Sequence, residues 1–215
     1  MASLAKPRVR RPPAGTINER LIGAAVQLLR EQGPAELTVR RIAHLAGTTT
    51  MCLYTGFGSR DGLLDAVYAH GFDRLRETMA QAGPVADPAQ AVRALLHAYR
   101  AFALANPGLY GLLFERVLTG FDPSPQVRRT ALDATFGLLA AQAGRLLGAD
   151  PQDQASRELG YTLWALTHGL VSLELTHAGR SPLAHPLLAD TDGQTILDTA
   201  LRATLTGWRR AGTPT

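Results

Sequence analysis

Apolar residues recur at three- and four-residue spacing along almost the whole chain, and no stretch shows the period-two alternation of a half-buried strand. Thr16 and Glu19 have capping-box spacing and open a helix whose Leu21, Ala24, Ala25, Leu28 and Leu29 share one face, ending near Gly33-Pro34. Ser59 caps a later helix carrying Leu63, Leu64, Val67, Phe72 and Leu75, which stops near Gly83-Pro84. This predicts a connecting helix over about residues 59–82. Beyond it the helix starts share a signature, a capping residue followed by proline at the first helical position. Asp87-Pro88, Asn106-Pro107, Ser124-Pro125 and Asp150-Pro151 all carry it. A Pro-rich loop from Ser181 to Pro186 precedes a last helix from about Asp192 to Arg210. The pattern predicts an all-α fold of about nine helices without internal repeats: a three-helix head, a connecting helix and a five-helix body.

Residues 37–57 stand out as two short helices joined by a tight turn. Thr38 caps the first, and Ile42, Leu45 and Ala46 supply its apolar stripe, with Ala43 small where another helix must cross. Gly47 suits a left-handed C-cap, a conformation that glycine adopts without steric cost. Thr49 caps the second helix, and Leu53 and Phe57, four apart, pack inward. Thr49, Thr50, Tyr54 and Thr55 are left to face outward. A pair of this shape lays its second helix in the major groove of DNA, although an ordinary helical hairpin shares much of the pattern.

Charge placement separates the two readings. Residues 1–60 hold Lys6 and eight arginines against Glu19, Glu31 and Glu36, a net of +6, while the rest of the 215-residue chain carries −2, giving +4 in all. Basic charge gathered around a candidate reading head is the footprint of a nucleic-acid binder. The first 15 residues are expected to form a disordered basic arm that either lies in the minor groove or stays solvated. No apolar leader follows Met1–Arg11, and no apolar run is long enough to span a bilayer, so a cytoplasmic protein is expected. One cysteine, Cys52, excludes an intramolecular disulfide and a Cys-rich metal site, and it reads as a small core residue. Glu174 and His177 have metal-like spacing, but two ligands on one turn are too few, and no metal or cofactor is expected. No nucleophile–base pair or Gly-rich phosphate loop appears, which argues against an enzyme. A helical protein that coats DNA without sequence preference is the main alternative.

The series Arg20, Leu21, Ile22, Ala24, Ala25, then Glu31-Gln32-Gly33, Leu37-Thr38-Val39-Arg40, Ile42-Ala43, Ala46-Gly47, Leu53-Tyr54, Phe57-Gly58-Ser59-Arg60-Asp61 and Leu63-Leu64 through Val67 resembles the N-terminal domain of the TetR family of transcriptional regulators. The resemblance covers roughly residues 16–70. Tyr99-Arg100, Phe102-Ala103, Asn106 to Tyr110, Leu113-Phe114 and Trp164 through His168-Gly169 are similar to one C-terminal subgroup of that family. The resemblance implies a homodimer that binds a near-palindromic operator through residues 16–60. Residues 61–215 would bind a small apolar effector and dimerise through the last two helices. The role it implies is that of a repressor released by that effector.

Position by position, the resemblance places Thr38, Thr49, Thr50, Tyr54 and Arg60 against DNA, mostly phosphates. Arg40, in the first turn of its helix, and Thr55 join them, and Met51 either packs inward or meets a thymine methyl. Three departures stand out: Thr50 replaces a residue often basic, Met51 one often Gly or Ala, and Gly56 one often His. In the body Tyr99, Phe102, Tyr110, Phe114, Trp164 and His168 are the candidate pocket liners, since ligand sites are apolar with a few polar groups. Trp164 and His168 lie four apart on one helix and serve either the pocket or the dimer interface.

Overall fold

The computed structural model describes residues 16–81, 85–177 and 192–211, the side chains of 177 and 209–211 excepted. These residues fold into helices α1 (Ile17–Gln32), α2 (Val39–Leu45), α3 (Thr50–Phe57), α4 (Arg60–Ala80), α5 (Pro88–Ala105), α6 (Pro107–Phe114), α7 (Pro125–Leu147), α8 (Gln154–His177) and α9 (Gly193–Ala211). A single 3₁₀ turn (Pro34–Glu36) joins α1 to α2, and no strand occurs among the described residues.

The termini follow local chemistry. Thr16 Oγ1 accepts from the Glu19 N–H at 3.2 Å while the Glu19 carboxylate accepts from the Thr16 N–H at 2.7 Å, closing the capping box. Ser59 Oγ accepts from the Gly62 N–H at 2.9 Å and starts α4. Asp87 accepts from the N–H groups of Ala89 and Gln90 to start α5. Asn106 departs from the expected cap: its amide donates to the Phe102 carbonyl and so closes α5, while Pro107 opens α6. The Asp150-Pro151 start is also displaced. Asp150 folds a turn, accepting from the Gln152 N–H at 2.7 Å, and α8 begins only at Gln154, with the Asp153 carbonyl accepting its first bond from Arg157.

Two packed clusters fill the molecule. The larger runs from Leu21, Leu29 and Leu53 through Leu63, Val67 and Phe72 to Leu109, Tyr110 and Val171. The smaller joins Val92 and Leu96 to Leu139, Leu159, Leu163, Leu197, Leu201 and Leu205. α5 feeds both, with Leu95, Tyr99 and Phe102 in the first and Val92 and Leu96 in the second. Each fully buried leucine contributes roughly 1.5–3 kcal/mol relative to exposure, so α5 is held by burial on two faces. Polar ties cross the same helices: His97 Nε2 lies 2.8 Å from Asp198 of α9, and Arg100 donates twice to Glu174 of α8, at 2.7 and 2.8 Å. Glu174 is thereby engaged, and the His177 side chain lies outside the described residues.

Candidate functional site

The turn between α2 and α3 is made by two backbone bonds. The Thr48 N–H donates to the Ala43 carbonyl at 3.0 Å and the Gly47 N–H to the His44 carbonyl at 3.1 Å. Gly47 sits at φ +64°, the left-handed value this closure requires. Ile42, Ala43 and Ala46 are buried, but Leu45 is 38% exposed and does not join the apolar stripe expected of it. At 100° per residue Ile42, Ala46 and Ala43 span an arc of about 100°, and Leu45 stands about 60° outside it on the Ile42 side.

Thr49 Oγ1 accepts from the Cys52 N–H at 3.4 Å and caps α3. Leu53 is fully buried beneath the helix, and Phe57 is half-buried. At 100° per residue Thr50, Tyr54, Met51 and Thr55 occupy an arc of about 140° on the opposite side. All four are exposed, Met51 by 70% and Tyr54 by 49%, so Met51 does not pack inward. Gly56 has a structural neighbour: a Cβ there would stand 2.2 Å from Asn18 Oδ1 of α1. The Asn18 side chain is exposed, so it can swing aside from a larger residue there.

Of the basic residues nearby, Arg40 is exposed, whereas Arg41 folds back onto Glu36 and Gln32. Arg60, half-buried at the first position of α4, lies 3.4 Å from Asp61. It shares a surface groove with Thr38, Pro34, Val117 and Leu118, so two of the residues expected at phosphates meet where α2 and α4 begin. Cys52, expected as a small core residue, is only half-buried and is not part of the core, because it lies on the flank of α3 between the buried Leu53 side and the exposed face. Hydrogen bonds with the Thr48 and Thr49 hydroxyls, and the nearby Arg20 charge, hold its thiol below the ordinary value. That basic neighbour comes from α1, 32 positions earlier, and sequence spacing does not reveal it. The arm Lys6–Arg11 lies outside the described residues.

In the body, five of the six aromatic candidates form one ring cluster around Phe114. Its ring centroid lies 5.0 Å from Tyr110, 5.3 Å from His168, 6.0 Å from Tyr99 and 6.2 Å from Trp164. Phe102 is not in that cluster; it is buried in the larger core. Tyr99, Phe114 and Trp164 line a cavity of about 180 Å³, together with Phe72 and Met79 of α4 and Phe136 of α7. Tyr110 and His168 stand outside the wall and brace it. The Tyr110 hydroxyl lies 2.6 Å from His168 Nδ1, and the Tyr99 hydroxyl lies 3.1 Å from the same nitrogen and 3.3 Å from Tyr110. Burial pushes the Tyr99 phenol up to about 12 and raises Tyr110 as well, while it lowers His168. Tyr110 therefore donates to Nδ1 and Tyr99 donates to Tyr110, and an imidazole that accepts at Nδ1 is neutral with its proton on Nε2.

Sequence reasoning missed the α7 side of the cavity. Leu132, Asp133, Thr135, Phe136 and Leu139 form it. Thr135 did carry a signal: it stands between Ala131 and Leu139 at four-residue spacing, a hydroxyl on a face that burial requires to be apolar.

Comparison with known proteins agrees with this geometry. Residues 21–67 match the family described as "Bacterial regulatory proteins, tetR family", and residues 92–207 match the family described as "Tetracyclin repressor-like, C-terminal domain". An uncharacterized HTH-type transcriptional regulator of Mycobacterium tuberculosis is 27% identical over 164 residues, 76% of this chain and 72% of that protein. A Rhodococcus protein of unknown function has a similar fold, with TM-score 0.70 at 24% identity over 94% of this chain and 98% of its own. So does a putative tetR family transcription regulator from Shewanella, with TM-score 0.64 at 18% identity over 87% of this chain and 96% of its own. The Mycobacterium and Shewanella proteins are transcriptional regulators by name, and no helix among the described residues is long and apolar enough to cross a membrane. The exposed α3 face and the two matched segments lead to one conclusion: the chain belongs to the TetR family and is a DNA-binding, helix–turn–helix transcriptional regulator.

Proposed function

We propose that this chain acts as a homodimeric repressor that an effector in the body cavity releases from a near-palindromic operator. Residues 16–60 read DNA through Thr38, Arg40, Thr49, Thr50, Met51, Tyr54, Thr55 and Arg60, and residues 61–215 bind the effector and dimerise. The observation that carries the reading is the reach of α4. Its first residue, Arg60, borders the head groove, and its Phe72 and Met79 lie in the cavity wall. At 1.5 Å per residue the helix spans about 31 Å, so occupancy at one end becomes displacement at the other.

Dimerisation through α8 and α9 is supported by what these helices expose. Thr162, Ala165, Gly169 and Leu173 of α8 repeat at helical spacing on an exposed face, and Thr195, Thr199, Ala203 and Thr206 of α9 are exposed likewise. Small residues in such register permit close approach of a second copy. Two α3 helices then enter successive major grooves when their separation is about 34–36 Å. An effector that favours the incompetent state by about 1–3 kcal/mol weakens operator binding about 5–150-fold.

Footprinting on the chain's own upstream region tests this. A short protected palindrome supports the reading, uniform coverage favours the coating alternative, and no protection removes both. Operator affinity unchanged across a broad effector screen removes the release step.

A further inference from the structure

We infer that the body cavity selects a lipophilic cation, a ring system carrying positive charge, over a neutral or anionic molecule of the same size. This rests on the reading of the body as the effector site and names the effector's chemistry. Six aromatic side chains contribute to the wall: Phe72, Tyr99, Phe114, Phe136, Tyr161 and Trp164. Aromatic faces carry negative potential and attract a cation placed within about 6 Å of the ring centre. Asp133 is the one charged residue among them, it is exposed at the rim, and it makes no hydrogen bond or ion pair with any described residue. No Lys, Arg or His among the described residues lines this wall, so a carboxylate or phosphate ligand would be desolvated without a partner from them.

Charges in the adjoining grooves do not alter that balance. Arg116 and Arg128 both lie on Asp122, Arg76 lies 3.8 Å from Asp73, and Arg157 shares its groove with Glu158. Among the described residues, the carboxylate of Asp133 is the charge that lines the cavity, and no salt bridge engages it; Arg129, one turn earlier on α7, is exposed.

A second polar group points to a ligand independently. Thr135 is 9% exposed and its Oγ1 has no hydrogen-bond partner. By the 100° turn of α7, Thr135 and Asp133 flank the lining stripe of Leu132, Phe136 and Leu139 on opposite sides. A ligand lying across that stripe meets a hydroxyl at one end and a carboxylate at the other. Size bounds it too: an engineered cavity of about 150 Å³ holds benzene, so 180 Å³ takes one ring or a small fused pair.

Isothermal titration of the full chain with benzyltrimethylammonium, benzyl alcohol and phenylacetate tests the assignment. The cation should bind about tenfold or more tighter than phenylacetate, with benzyl alcohol between them. In Asp133→Asn that ratio should fall to about threefold or less, with benzyl alcohol binding and the ligand-free operator footprint unchanged. Phenylacetate binding as tightly as the cation, a cation preference that survives Asp133→Asn, or no binding by any of the three overturns it. A cation that binds through Asp133 without changing operator occupancy upholds the selectivity and removes only the release step.

Discussion

The Tyr110 hydroxyl donates to Nδ1 of His168 across 2.6 Å and ties α6 to α8 behind the cavity wall. The bond needs a neutral imidazole, and burial, the largest influence on His168, keeps it so by lowering its proton affinity. The folded state therefore binds fewer protons than the unfolded chain just below the ordinary histidine value of about 6.5. Stability is full above that pH and is lost as pH falls toward the lowered value, by at most about 1.4 kcal/mol per pH unit per proton. His70, also lowered chiefly by burial, acts in the same direction. Urea midpoints from pH 7.5 to 5 should fall with acid in the wild type, and His168→Gln should flatten part of that slope. An unchanged slope in the variant would locate the acid sensitivity elsewhere.

Tyr54 stands on the exposed side of α3, away from the buried Leu53. Tyr54→Ala should weaken operator binding about tenfold while changing unfolding free energy by no more than about 0.5 kcal/mol. Gel-shift titration and thermal unfolding separate the two effects. A stability loss of core size would mean that the ring packs rather than reads.

Gly108 marks where α6 meets α1, since a Cβ there would stand 2.3 Å from the Leu29 carbonyl oxygen. Backbone does not yield as a side-chain tip does, so Gly108→Ala should cost about 1–3 kcal/mol. Gly137, in α7, has open space at its Cβ position, and alanine there should stabilise by about 0.5–1 kcal/mol. Paired denaturation curves check both signs together; equal effects would remove the steric account.

Thr135 keeps a buried hydroxyl without a partner. Thr135→Val retains the shape and removes the unsatisfied group, so the ligand-free protein should gain about 1–3 kcal/mol. Calorimetric unfolding without added ligand measures it. A loss of stability would mean that the hydroxyl is satisfied in solution.

Much was legible along the chain because the signals are local. Capping residues, the 3.6-residue apolar period and Gly47 act over a single turn, and they predicted the all-α class, the helix order and the exposed set on α3. Where two local signals competed, pattern reading slipped. Asp150-Pro151 has the form of a helix start, yet Asp150 closes its own turn, and Leu45 keeps an apolar spacing but stands outside the arc that α2 buries.

What the tertiary structure alone decided are relations between residues far apart in the chain. Periodicity states that Phe72, Tyr99, Phe114, Phe136 and Trp164 turn inward, but not that their packing leaves a space, because a cavity is a property of how whole helices fit. It likewise does not state that Arg20 stands by Cys52, or that Asp133 joins aromatic rings in lining one cavity. The sequence by itself determined the helices and the reading face. The assembly of α4 to α8 determined which side chains enclose the cavity, since burial and charge compensation depend on neighbours that sequence spacing cannot place.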